Sequence, residues 1–450
     1  MNKLLMRVKL AIATIILCGV VAIPAIAQDT IRLTLDEALS IALNESLTVK
    51  IADKEIEKTG YTKKGSYSAL FPNVDFSAAY QRTIKKQVMT MNMGGQTQSI
   101  AVGTDNLYNL GFSATMPLIN IALWRNLQIS AKSVDLAVEQ ARKSRHDLIN
   151  QIETAFYTCL LANDSYEVYK ENYQNSKTNY EQTKAKYESG RVAKFDMIRA
   201  EVNMQNAEPN VYDAQNSLTL ALWQLKALMG IDLNTNIVCV GSLDDYVNRI
   251  KDLSFAGNQI NLENNSTLKQ LDIQKEILDL SYKAKRAQFY PSLGASASYS
   301  WVSMANNFKF KEYNWNPYSV AGISLTIPIF SGGNRYYGLK ETNAQRKQLE
   351  LQRESARRGL VVSAKQNISS METAIKQYNA AVATVEGAQT GYDIAKKRYE
   401  VGSGTVLDMN DAQLQLLQSK LNVKNSIYSF LVAKSALDLT LGVNENGEKN

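Results

Sequence analysis

The side chains whose types and spacing bear chemistry gather in two short stretches. Residues 187–197 carry Arg191, Lys194 and Asp196, while residues 399–409 carry Tyr399 and Asp408, with Asp411 one helical turn further on. Such groups do the chemistry of charge rather than of bond-making. Clustered carboxylates concentrate negative potential and attract cations, and cations on a facing segment can pair with them. Asp196 and Asp408 also suit a simpler role, because a carboxylate in the first turn of a helix favours its positive end by about 0.3–1 kcal/mol. Both roles stay open for those two, whereas Asp411 lies beyond the first turn, where the helix-end role no longer applies. One histidine, His146, has no metal-ligand partner at i+4, and no nucleophile elbow, Walker loop or dinucleotide fingerprint is present. Neither an enzyme nor a cofactor is expected.

The elements that must position these groups are written twice. Tyr187, Glu188, Gly190, Asp196 and Met197 recur at a constant offset as Tyr399, Glu400, Gly402, Asp408 and Met409. Each copy lies between two long helical patterns and reads as a helix–turn–helix tip. Gly190, Gly402 and Gly404 supply turn conformations that a side chain resists. Gly230 and Gly442 end the two return helices at the same offset. The expected plan is a signal peptide at 1–27, a first repeat at 28–230, a mid-height mixed belt at 231–261, a second repeat at 262–442 and a polar tail at 443–450.

The leader rests on Lys3, Arg7 and Lys9, an apolar run from Leu10 to Ile23 and Ala25-Ile26-Ala27 before Gln28. Cys18 lacks the small residues that lipoprotein processing wants before it. Cys159 and Cys239 remain after cleavage, too few for a disulfide framework, and read as small buried residues at similar heights, where a bond between them is possible but not expected. The formal charge of +7, three units of it in the leader, is too mild for a nucleic-acid partner.

Each repeat opens with a helix and then switches period. Thr34 and Glu37 form a capping box, and a helical pattern runs toward Leu70. After Phe71-Pro72, Val74, Phe76, Ala78 and Tyr80 alternate with Asp75, Ser77, Ala79 and Gln81. A loop from about Ile84 to Asn106 leads to a return strand that ends at Pro117, closing a hairpin over 72–117. The second repeat has its hairpin at 290–328, ending at Pro328. Each strand has one apolar face and one small polar face, with aromatic residues such as Tyr80, Tyr108, Trp301 and Tyr318 near strand ends. That pattern suits a sheet between lipid and water. Four strands cannot close a barrel, so several chains must share one.

The outgoing helices are long. From about Asn120 to Ser189 the pattern is unbroken for roughly 70 residues, or about 105 Å. Ile152, Cys159, Tyr166, Tyr173, Tyr180 and Tyr187 hold one heptad position, with Ala155, Ala162, Ser176 and Thr183 beside them. Arg335 to Val401 repeats this with Ala364, Met371, Tyr378, Tyr392 and Tyr399. Return helices follow each tip, and Pro209 is expected to kink or split the first.

Leader, paired hairpins, long helices and glycine tips together resemble the TolC-like outer-membrane efflux family over essentially the whole mature chain. Thr34-Leu35-Asp36-Glu37-Ala38-Leu39, the two strand-starting prolines, Pro117, Pro328 and the paired tips carry the resemblance. It implies an α+β membrane protein with internal duplication: a homotrimer sharing a twelve-stranded transmembrane β-barrel in outer-membrane lipid, continued as an α-helical coiled-coil barrel through the periplasm. It also implies that the tips form a closed end that meets a periplasmic adaptor and an inner-membrane pump of a tripartite efflux or type I secretion system. Tyr399, Asp408 and Asp196 match the family's gate, and Asp411 matches its constricting ring. Gly404 stands where the family has a gate arginine, so Arg191 or Lys194 is expected to supply the positive partner. The competing expectation is a periplasmic coiled-coil spacer without channel activity.

Overall fold

The computed structural model describes residues 31–93, 96–251 and 260–443. The expected leader, nearly all of the polar tail and part of the belt lie outside the described residues. In chain order, the first repeat comprises β1 (Ile31–Leu33), α1 (Leu35–Glu45), α2 (Leu47–Tyr67), β2 (Asn73–Arg82), β3 (Gln87–Met93), β4 (Gln96–Val102), β5 (Asn106–Ile119), α3 (Ile121–Glu188) and α4 (Lys194–Met229). The belt holds β6 (Ile237–Cys239) and α5 (Val247–Lys251). The second repeat comprises α6 (Ser266–Ala287), β7 (Ser292–Ala305), β8 (Asn316–Thr326), α7 (Asn334–Glu400) and α8 (Val406–Leu441).

The capping box forms as read: the Glu37 carboxylate accepts from Thr34 N at 2.8 Å, and Thr34 Oγ1 accepts from Glu37 N at 3.4 Å. The helical pattern that follows does not run on unbroken. It divides at buried Ser46, whose ψ of 132° leaves the helical region. The break gives room to the end of the first return helix, since a Cβ on Gly230 would lie 2.8 Å from the Glu45 carbonyl. Gly230 takes φ 75° there and Gly442 takes φ 70° at the matching helix end.

The four long strands make one antiparallel sheet in the order β2-β5-β7-β8. Register brings Val74, Phe76 and Tyr80 opposite Ala114, Phe112 and Tyr108, and then Phe112 opposite Tyr299 and Leu110 opposite Trp301. The apolar sides of all four strands therefore share one face, with Phe76–Phe112 and Tyr80–Tyr108 ring centroids 5.0 and 4.9 Å apart. Gly111 on the other face has no room for a side chain: a Cβ would sit 2.7 Å from Ser300 Oγ and 2.9 Å from the Tyr299 carbonyl. β5 continues past Pro117 to Ile119, with a register irregularity where the proline cannot donate to the ladder. The expected loop between Ile84 and Asn106 is instead mostly a second hairpin, β3 with β4, pairing Gln87 with Val102 and Met91 with Gln98. Its Gln and Thr side chains tolerate strand geometry as well as loop, and continuation from β2 and β5 favours pairing.

α3 has 68 residues and α7 has 67, each returning through a 36-residue helix, α4 and α8. Pro209 neither ends nor splits α4. It faces outward and is exposed, so its ring meets solvent while packing against α3 holds the helix together. The core sits at mid-height, around fully buried Ile152, Phe156, Leu160, Leu225, Ile427 and Phe430. There β1 pairs in parallel with β6, tying the start of the described chain to the belt.

A buried charge fastens the belt to the helices. Asp164 on α3 accepts from Ser242 Oγ at 2.8 Å and Leu243 N at 3.1 Å, and Lys424 on α8 reaches it at 3.0 Å and Asp244 at 2.7 Å. Burial works against the Lys424 ammonium, but the two carboxylates outweigh it and raise its pKa. Lys424→Met is expected to destabilise the protein by about 3 kcal/mol in chemical denaturation, because Asp164 would keep a buried charge without its cation. Asp244→Asn, at an exposed partner, should cost much less.

Candidate gate at the helical tips

The two tips are the same structure twice. At the first, Ser189 N, Gly190 N and Arg191 N donate to the carbonyls of Ala185, Tyr187 and Lys186; at the second, Val401, Gly402 and Ser403 N donate to Lys397, Tyr399 and Arg398. Gly190 and Gly402 take φ of 73° and 81°, where an L side chain is strained.

The charged groups divide by role. Asp408 is the third residue of a capping box: its carboxylate accepts from Thr405 N at 3.2 Å, and Thr405 Oγ1 accepts from Asp408 N at 3.0 Å. Those bonds to Thr405 hold the Asp408 pKa below its ordinary 3.8. The cap therefore contributes fully above 3.8 and is lost only as pH falls through the depressed value. Asp196 occupies the first turn of α4 and is half-buried. Asp411 is exposed, on a side of α8 shared with exposed Leu407 and Leu414.

Arg191 and Lys194 stand exposed on the first tip. The cation that reaches the second tip is Lys186. Its Nζ donates to the carbonyls of Tyr399 at 2.8 Å and Glu400 at 3.3 Å, the exposed end of α7, and lies 4.1 Å from the centre of the Tyr399 ring. Burial lowers the Lys186 pKa, Glu400 opposes that, and Arg191 adds to it. Tyr399 is buried and hydrogen-bonded through its hydroxyl to Thr183 Oγ1 at 2.8 Å. Its pKa is raised first by burial, against the Thr183 bond, with Asp196 adding to the rise, so the phenol stays neutral.

Above this clasp the two hairpins are joined by amides. Gln413 on α8 donates to Asn172 Oδ1 and to Ser176 Oγ, both at 2.8 Å, and accepts from Asn179 Nδ2 at 3.1 Å. Asn203 on α4 donates to Asn410 Oδ1 at 3.3 Å. Neither the amides nor the role of Lys186 follows from a search for apolar heptads. The signal was nonetheless in the spacing, since Asn172, Asn179 and Lys186 recur every seven residues along one line of α3.

Comparison with known proteins bears on what these tips belong to. The sequence profile of the family described as "Outer membrane efflux protein" matches residues 38–231 and 259–443. The chain belongs to that family. This outer membrane efflux protein is 22% identical to the outer membrane protein TolC of Vibrio cholerae over 384 residues, 84% of this chain and 83% of TolC. Its fold is that of the CmeC outer membrane channel of Campylobacter jejuni, with a TM-score of 0.72 at 18% identity over 91% of this chain and 85% of CmeC. It is also that of CusC, with a TM-score of 0.74 at 16% identity over 92% and 94% of the two chains.

The efflux protein has a physical reason for lacking an arginine at 404. A Cβ on Gly404 would lie 3.0 Å from Arg398 Cβ and 3.2 Å from the Arg398 carbonyl carbon. The Arg398 guanidinium also reaches back to the Ser403 carbonyl at 3.3 Å. The positive charge of this turn thus stands at Arg398, before the glycine.

Proposed function

We propose that three copies of this efflux protein close a twelve-stranded barrel in the outer membrane of a Gram-negative-type bacterium. The paired helices would continue it through the periplasm as a passive exit duct. The observation that carries the reading is the four-stranded sheet. Its outer strands β2 and β8 each have one unpaired edge, and the apolar face exposes Phe76, Phe112, Ile323 and Leu325. Strands of 10 to 14 residues have the length for a tilted membrane crossing, and unpaired edges in lipid would leave backbone groups without hydrogen bonds. No described helix is long and apolar enough to cross a membrane, so any crossing by these residues falls to the strands.

In this reading the tips are the resting closure, opened when a periplasmic adaptor and inner-membrane pump engage. Lys186 takes the place of the gate arginine, and Asp411 faces the pore near the threefold axis. The family supports an efflux cargo. Membrane fractionation with chemical crosslinking tests the assembly: the duct requires a trimer in the outer-membrane fraction that conducts in planar bilayers. A soluble, non-conducting monomer would establish the coiled-coil spacer instead.

A further inference from the structure

Two thiols that the duct leaves unused lie together in the core. Cys159, on α3, is fully buried in the cluster that contains Ile152, Phe156 and Leu160. Cys239, the last residue of β6 and the register partner of Leu33, packs against the same cluster from the belt side and is partly exposed. Both are free thiols in this structure. The belt lies against this part of α3, where Asp164 accepts from Ser242 Oγ at 2.8 Å and from Leu243 N at 3.1 Å and the Tyr157 and Tyr246 ring centroids are 5.4 Å apart. Interaction with the Cys239 thiol, followed by burial, pushes the Cys159 pKa far up. Cys18 lies in the expected leader, so these two are the cysteines that the mature chain would carry.

We propose that Cys159 and Cys239 are joined by a disulfide in the exported protein, stapling the belt strand β6 to the tunnel helix α3. The inference rests on export of the chain and is independent of the gate. A two-stranded sheet with three paired positions is marginal by itself, so β1 and β6 depend on attachment to the helices. The bridge would close the loop that holds the first tip and the whole of α4, and a long loop is where a crosslink removes most freedom from the unfolded chain.

The chemistry balances by thiol–disulfide exchange with an exported dithiol oxidase. The accessible Cys239 thiolate attacks the oxidase disulfide, breaking that S–S bond and forming a mixed disulfide. The Cys159 thiolate then attacks the Cys239 sulfur, forming the internal bond and releasing the oxidase as a dithiol. Two electrons leave with the oxidase, and the two protons lost from the cysteines end on its thiols. Burial of Cys159 sets this order, because the thiolate is the nucleophile and Cys239 is the sulfur with access.

The test is peptide mapping of full-length protein purified from the cell envelope under acid quench, alkylated without reductant after denaturation. The expected result is a peptide linking residues 159 and 239. A reductant should then lower the unfolding midpoint of the wild type by several degrees while leaving that of Cys239→Ser unchanged. Quantitative alkylation of both thiols in envelope-located protein would overturn the disulfide alone, and so would a midpoint indifferent to reductant. Recovery of the chain from the cytosol would overturn the export on which it rests.

Discussion

In the proposed trimeric duct, Lys186→Met is expected to raise the resting conductance in planar bilayers by about tenfold. The ammonium makes charge-assisted hydrogen bonds to two carbonyls at the end of α7 and lies over the Tyr399 ring. Such a hydrogen bond is worth about 1.5–3 kcal/mol and a partly desolvated cation–π contact about 0.5–2 kcal/mol. Burial of the charge works the other way, as the lowered Lys186 pKa records. The two effects differ in sign, and we weight the 2.8 Å contact more heavily because a charge-assisted hydrogen bond is about twice as strong as a neutral one, and without it the Tyr399 carbonyl keeps only the weaker bond from Gly402 N at 3.2 Å. A net loss of about 1.4 kcal/mol corresponds to a factor of ten in the closed–open equilibrium. Methionine keeps the length and apolar stem of the side chain, so packing changes little. If desolvation were the larger effect, the same substitution would tighten the tip and conductance would fall. Tyr399→Phe, which keeps the ring and removes only the bond to Thr183, should raise conductance less. In a Tyr399→Leu background Lys186→Met should still raise conductance, but by less, since the two carbonyl bonds remain and only the ring contact is already gone.

Asp411→Asn is the second substitution with a large expected effect, a several-fold fall in the cation-over-anion permeability ratio. In one copy of the chain Asp411 is exposed on the side of α8 that carries exposed Leu407 and Leu414. Three such carboxylates near a narrow opening would add their potentials in a mouth where water screens poorly. Asp408 provides the contrast. Its carboxylate already accepts from Thr405 N, so Asp408→Asn should weaken the start of α8 and change selectivity much less. Reversal potentials in asymmetric salt read the first effect, and thermal unfolding reads the second. Unchanged selectivity in Asp411→Asn would remove Asp411 from the pore.

The comparison of these two aspartates illustrates how far sequence reading reaches. Both sit beside the second tip and both were expected to serve the gate, yet only a structure distinguishes a carboxylate used within its own turn from one left exposed. The capping box of Thr405 and Asp408 obeys the same local rule as that of Thr34 and Glu37, which was legible because a cap involves residues three apart. The expected positive partners, Arg191 and Lys194, stand exposed on the first tip. Lys186 succeeds because it lies one heptad beyond Asn179 on the side of α3 that meets the second hairpin, a matter of facing rather than of residue type.

Similar limits apply to the backbone. Pro209 predicts a broken helix by local hydrogen bonding, yet α4 runs through it because its ring faces solvent and α3 supports the helix along its length. The segment after Ile84 is rich in Gly, Thr, Gln and Asn and so reads as loop, yet it pairs as β3 and β4.

By itself the sequence determined what is periodic and local: the duplication, the alternation that gives each long strand one mainly apolar face, the alanine-rich line of α7, the glycine turns and the caps. Apart from the duplication, these depend on spacings of two to seven residues, which a single chain displays. Only the tertiary structure decided which groups meet across long separations: Lys186 with Tyr399, Gln413 with Asn172, Lys424 with Asp164 and Cys159 with Cys239. The physical reason is that periodicity sets which face a residue occupies, while the rotation and axial stagger of one long helix against another select its partner. That stagger arises from packing along the full length of the helices, and no short stretch of sequence contains it.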